Sequence, residues 1–98
     1  MAITIDPHER ELAALARVSL WRGRRVLEIG CGDGRLTLRL ARLGARVVAI
    51  DPEAAQVRAA RKSLPRRLAH RIEYRVGRAE RLPWHAHEFD CVVFAWAL

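Results

Sequence analysis

A chain of 98 residues has room for one domain, near the lower end of the size range in which a single apolar core supports a fold. Hydrophobic residues make up 51% of it and charged residues 30%, which excludes a disordered, collagen-like or disulfide-dense chain. The formal charge of +7 raises a nucleic-acid partner, but the 18 Lys and Arg are scattered from Arg10 to Arg81 without a run of five, which argues for a solvated basic surface.

Turn signals divide the chain into alternating helical and extended pieces. Residues 1–22 read as an N-terminal helix: Asp6 suits a cap, Pro7 its first position and Glu9 the capping-box spacing, while Leu12, Leu15, Ala16 and Leu20 form a stripe ending before Gly23. The core then occupies 25–98. Val26-Leu27-Glu28-Ile29 is a short buried strand closed by Gly30, Gly32 and Gly34. Leu36, Leu40 and Leu43 mark a helix that stops at Gly44, in C-cap position. Arg46 to Ile50 form a second strand, and Asp51-Pro52 cap and start a third helix carrying Ala55, Val57, Ala59 and Ala60 toward Pro65. A third strand alternates Ile72, Tyr74 and Val76 against Arg71, Glu73 and Arg75. After a loop containing Leu82, Pro83 and Trp84, Phe89 to Phe94 read as a fourth, buried strand.

This alternation is that of a Rossmann-like, doubly wound parallel α/β sheet with flanking helices, here in the order 3-2-1-4. No apolar run approaches the roughly 18 residues of a membrane span, and the first residues carry acids where a secretion signal needs a basic start, so the expectation is a cytoplasmic protein without a membrane partner. Cys31 and Cys91 lie 60 residues apart and offer neither a redox nor a zinc spacing.

The informative stretch is VLEIGCGDGRL, residues 26–36: strand, glycine turn, helix, with Asp51 closing the next strand 21 residues after Gly30. Asp51 is placed to accept hydrogen bonds from the hydroxyls of an adenosine ribose. Two cofactor classes use such a turn. Dinucleotide binders want a third glycine where this chain has Arg35, and Glu28 and Asp33 beside the turn would repel a pyrophosphate. The acids suit a ligand bearing a sulfonium and an ammonium. Glu28 can alternatively be read as a structural acid bonded to loop amides.

Glu28-x-Gly30-x-Gly32-x-Gly34 resembles the first motif of class I S-adenosylmethionine-dependent methyltransferases, above all the small-molecule type related to quinone biosynthesis. The resemblance runs from about Trp21 to Leu98. It implies S-adenosyl-L-methionine as cofactor, with Glu28, Gly30, Cys31, Gly32 and Gly34 around the methionine moiety, and Asp51 and Pro52 at the ribose. It implies further that Gly77 to Trp84 cover the adenine, with Ala79 and Glu80 in contact, and that Phe94 to Trp96 approach the acceptor side. Arg78 departs from the family pattern, standing where an Asp usually meets the adenine amino group.

The expected function is transfer of a methyl group to a small-molecule acceptor, and no catalytic residue is assigned. Because the resembled sheet has more strands, the chain reads as a single incomplete domain, the cofactor-binding half. Its fourth strand would then leave Val92, Val93 and Phe94 on an unpaired edge. That edge supplies the alternative function, a non-catalytic cofactor-binding or interaction module that completes its sheet with a partner or second copy. A fragment of an NAD-dependent oxidoreductase is the third reading, disfavoured by Arg35. His85 and His87 near Asp90 and Cys91 lack a recognised zinc spacing, so no metal is expected. Cys31 reads as a small residue required by the turn, and Trp84 as a packing residue.

Overall fold

The computed structural model describes residues 2–5, 21–81 and 88–95. Its elements in chain order are β1 (Ala2–Ile5), β2 (Arg25–Ile29), α1 (Arg35–Arg42), β3 (Arg46–Asp51), α2 (Ala54–Lys62), a 3-10 turn (Arg66–Arg71), β4 (Ile72–Val76), a second 3-10 turn (Ala79–Arg81) and β5 (Cys91–Ala95). The five strands form one sheet in the order β1-β5-β2-β3-β4, and every pairing is parallel. The four strands expected from the sequence keep their expected 3-2-1-4 order within it.

Connections from β2 to β3 and from β3 to β4 advance in the same direction along the sheet, so right-handed crossovers place α1 and α2 on the same face. The packing agrees. Leu36 and Leu40 of α1 and Val57 and Ala60 of α2 share a buried cluster with Val26, Val47, Ile72, Cys91 and Val93, the strand residues that point to that face. β5 then returns to the opposite flank of β2, which makes the C-terminal end of β2 the point where the winding reverses. In open parallel sheets that is where ligands bind.

The structure corrects the sequence reading at several places. Residues Ala2–Ile5 are a strand rather than the start of the N-terminal helix, a conformation that consecutive Ile3, Thr4 and Ile5 favour. Residues 6–20 lie outside the described residues. β1 pairs with β5 through Ala2 with Val92, Ile3 with Val93 and Thr4 with Phe94, so the fourth core strand is not the unpaired edge expected of it. The case for a partner or second copy completing the sheet there goes with it.

The helix after β3 begins at Ala54 with Glu53 as its N-cap, two residues later than Asp51-Pro52 suggested. On that helix Val57 and Ala60 are buried while Ala55 and Ala59 face outward, because alanine marks a helix face only weakly. Ile72 and Tyr74 are buried as expected, but Val76, at the end of β4, is 53% exposed. The Leu82–His87 loop, including Pro83, Trp84 and His85, and Trp96 fall outside the described residues.

Candidate functional site

The glycine turn is built by one carbonyl. Ile50, at the penultimate position of β3, accepts hydrogen bonds from the amides of both Gly30 (2.9 Å) and Cys31 (3.0 Å), which bends the chain sharply as it leaves β2. Gly34 returns its amide to the Cys31 carbonyl at 3.0 Å, and α1 starts there. All three glycines of the turn have positive φ: 81° at Gly30, 56° at Gly32 and 90° at Gly34. Their neighbourhoods differ. A Cβ on Gly30 would lie 3.0 Å from the Ala95 carbonyl oxygen, and one on Gly34 would meet the Tyr74 hydroxyl, whereas one on Gly32 would point into open space. Gly30 and Gly34 are thus closed by protein, and Gly32 is the point at which a ligand can reach the backbone.

Asp51 ties this turn to the next strand. Its Oδ2 accepts the Gly32 amide at 3.0 Å and its Oδ1 accepts the Glu53 amide at 2.9 Å, while its own carbonyl accepts the Gly77 amide at 3.0 Å. The segment after β2, the end of β3 and the segment after β4 therefore converge on one residue. Each carboxylate oxygen keeps a lone pair for a further donor. Pro52 is exposed in the short link to α2, and Arg78, Ala79 and Glu80 are exposed just past β4, at the same end of the sheet. Phe94, in register with Ile29, stands 40% exposed beside the end of β2.

Glu28 lies beneath the turn with no exposed surface. Its Oε1 accepts a hydrogen bond from the Thr37 hydroxyl of α1 at 2.5 Å, and its Oε2 has no partner. Burial raises its pKa to about 7; the Thr37 bond opposes the rise and the charge of Asp51 adds to it. Sheet register explains the company it keeps. Glu28 pairs with Ala49, which pairs with Tyr74, so two polar side chains flank a small one on the same face and leave α1 room to approach. The Tyr74 hydroxyl is buried without a partner, pressed under Gly34.

Neither Thr37 nor Tyr74 was expected in the site. The one signal for Thr37 is a hydroxyl on an otherwise apolar helix stripe, three and four residues before Leu40 and Ala41.

Other expectations find their places. Arg35 points outward, its side chain 84% exposed and 3.3 Å from Asp33. The close helix-to-strand packing that a dinucleotide turn assigns to its third glycine is done here by Gly34, one residue earlier. Cys31 is buried, and burial, helped by Glu28 and Asp51, pushes its thiol up to about 12. A reactive thiolate has no support there. Asp90 is bound to Arg25, whose amide donates to it at 2.9 Å, and among the described residues no three His, Cys, Asp or Glu side chains are grouped to hold a metal. No helix among them is long and apolar enough to cross a membrane.

Comparison with known proteins converges with this geometry. The family described as "Methyltransferase domain" matches residues 26–98. Over 74 residues the chain is 47% identical to the mitochondrial ubiquinone biosynthesis O-methyltransferase of Rattus norvegicus, taking in 72% of this chain and 21% of that protein. The ubiquinone biosynthesis O-methyltransferase of Methylocella silvestris is 44% identical over 71 residues, 72% of this chain and 27% of its own length. The chain thus spans about a quarter of the curated relatives it matches.

Among solved structures, an S-adenosylmethionine dependent methyltransferase from Mesorhizobium loti superposes with a TM-score of 0.74 at 25% identity, covering 93% of this chain and 42% of that one. Magnesium protoporphyrin IX methyltransferase from Synechocystis PCC 6803, with bound SAM, superposes at 0.71 with 26% identity, covering 85% and 39%.

Proposed function

The chain belongs to the S-adenosylmethionine-dependent methyltransferase-domain family, and on that premise we propose that its residues bind S-adenosylmethionine at the C-terminal ends of β2 to β5, as the cofactor half of an enzyme that methylates a small molecule. The observation that carries this reading is the bond between Gly32 and Asp51: a glycine whose missing side chain leaves open space, its amide stapled to a carboxylate with lone pairs to spare.

Each residue has a part in holding the cofactor. The backbone at Gly32 meets the methionine portion, Gly30, Cys31 and Gly34 shape the turn that presents it, and Asp51 accepts the two ribose hydroxyls while the Gly32 and Glu53 amides hold it still. Pro52 lies next to Asp51 on the ribose side, and Ala79 and Glu80 border the adenine. Phe94 stands on the acceptor side. Glu28 presents its unpartnered oxygen from below, where a cationic ligand stabilises its ionised form. Bound there, the cofactor supplies a methyl group on a sulfonium sulfur, already electrophilic. The protein's task is then to align the acceptor with that carbon and exclude water, a positional contribution rather than an acid-base one.

The acceptor class is inferred from the relatives. Both curated proteins are O-methyltransferases of ubiquinone biosynthesis, which favours a hydroxyl on a small aromatic molecule as the group methylated by the whole enzyme.

Calorimetric titration of the chain with S-adenosylhomocysteine, with NAD and Asp51→Ala as controls, tests the cofactor reading. Binding of the homocysteine compound that the variant loses, with none of NAD, is expected. Binding that survives Asp51→Ala in a folded protein overturns the assignment of that residue, and preference for NAD overturns the cofactor.

A further inference from the structure

The opposite end of the sheet carries a second concavity with the reverse electrostatic character. At the N-terminal ends of β3 and β4 a cleft of about 550 Å³ is lined by Arg22, Arg42, Arg46, Arg71 and His70, together with Gly23, Leu43 and Gly44. Among the described residues no carboxylate lines it. It shares Arg46, His70 and Arg71 with a neighbouring cleft of about 520 Å³, in which Glu73 and Glu88 appear, so among the described residues a lining whose charged side chains are all basic is confined to the first.

Its floor is fixed by backbone. The Gly23 amide donates to the Gly44 carbonyl at 2.9 Å, and the Arg46 amide to the Arg24 carbonyl at 2.8 Å, locking the two turns together. Gly44 has φ 100°, and a Cβ there would come within 3.0 Å of the Arg22 Cα, so the two turns approach as closely as they do because position 44 has no side chain. Arg71 Nε donates to His70 Nε2 at 3.3 Å and holds those two side by side.

Two ordinary explanations fall short. Of the cleft arginines, Arg42 sits in the last turn of α1 and complements the negative end of its dipole, which accounts for one guanidinium and not for those on the β2 approach, β3 and the 3-10 turn. An arginine-rich composition fills surfaces with guanidinium groups, but it scatters them singly or beside acids, as Arg35 lies beside Asp33 and Arg75 beside Glu73, and does not by itself gather four from separate elements around one hollow. Four guanidinium groups gathered around one rigid hollow repel one another unless an anion joins them. Their planar forks match phosphate oxygens, and the volume is that of a small-molecule site.

We infer that this cleft binds a small anion with clustered phosphate groups, at a site on the far side of the sheet from the cofactor and independent of it. Inorganic tripolyphosphate is the probe. Titrated into the 98-residue chain, it binds saturably at one site, loses about tenfold or more in affinity in the Arg42→Ser/Arg71→Ser double variant, keeps its affinity in Arg58→Ser, which alters an exposed arginine outside the lining, and does not compete with S-adenosylhomocysteine. Circular dichroism confirms that the double variant is folded, and Arg46→Ser alone provides a second, milder lesion.

Three results overturn the inference: no saturable binding, binding that the double variant leaves unchanged, or displacement by S-adenosylhomocysteine. A single-stranded oligonucleotide that outcompetes tripolyphosphate and gains affinity with length overturns it in favour of a nucleic-acid track. Because the readout is anion binding, it fails or succeeds separately from the cofactor titration.

Discussion

Thr37 Oγ1 donates to Glu28 Oε1 across 2.5 Å in a space sealed from solvent, and among the described residues that bond is the only one the carboxyl receives. One donor does not offset the loss of water around a buried carboxylate, which is why the group holds its proton to about pH 7 when its ordinary value is 4.5.

A pH dependence of stability follows. Between pH 4.5 and about 7 the native protein keeps a proton that the unfolded chain has released, so stability falls as pH rises through that window and levels off above it. The full loss is about 3 kcal/mol. Urea denaturation from pH 4.5 to 8 measures it, and Glu28→Gln, which fills the same volume without a titrating group, flattens that part of the profile. A wild-type profile already flat across the window shows that Glu28 titrates at its ordinary pH.

Thr37→Val keeps the shape of α1 and deletes the donor, leaving both oxygens of Glu28 unpartnered. The variant loses ~1–3 kcal/mol, and more at pH 8 than at pH 5 because the ionised carboxylate needs the hydroxyl more. Thr37→Ser restores most of it. An equal deficit at both pH values assigns the effect to packing of the methyl group instead.

These two residues also mark where sequence reading stops. Strands β2, β3, β4 and β5 are legible because each apolar run is bounded by glycine, proline or charge, and the site turn is legible because positive φ at three nearby positions admits little but glycine. Thr37 and Tyr74 are not. They occupy apolar-stripe positions, and their meeting with Glu28 is created by strand register, in which Ala49 separates Glu28 from Tyr74. β1 escapes for a different reason: it is four residues long and runs straight into Asp6-Pro7, a strong helix-start signal that claims its neighbours.

The turn glycines respond unequally to alanine. Gly34→Ala combines a left-handed backbone with a collision against the Tyr74 hydroxyl and close approach to the Ala60 Cβ, and destabilises by about 3 kcal/mol or more. Tyr74→Phe in that background recovers part of the loss by removing the nearest atom. Gly32→Ala carries only the backbone strain, about 1 kcal/mol, since its Cβ meets nothing, yet it blocks the ligand's approach. Thermal unfolding and S-adenosylhomocysteine binding separate the two: stability fails first at position 34, binding at position 32.

Both cysteines are buried, and burial raises the pKa of each thiol, Cys31 to about 12 with the acids beneath the turn adding to the shift. Both are buried with the thiolate form disfavoured in the folded protein, so a disulfide-exchange reagent consumes no thiol until denaturant is added and two afterwards. Fast labelling of Cys31 in native protein shows instead that the glycine turn opens on the timescale of the assay.

Removing residues 1–5 tests what β1 does for the sheet. With it gone, the edge of β5 from Val92 to Ala95 offers an unsatisfied row of amides and carbonyls around Val93, one of the most deeply buried residues of the core. Such an edge recruits a strand from another chain. The truncated protein therefore associates as its concentration rises, while the intact chain elutes unchanged over the same range in size-exclusion chromatography. Proline scanning sharpens the test. Alternate residues of a parallel strand donate to a given neighbour, so one of Ile3→Pro and Thr4→Pro removes a ladder bond to β5 and the other points its missing amide away. Association in one of these and not the other identifies the pairing as the protective element. Association in neither, with the truncation also unchanged, means that β5 is shielded by another part of the chain and that β1 is dispensable to the sheet.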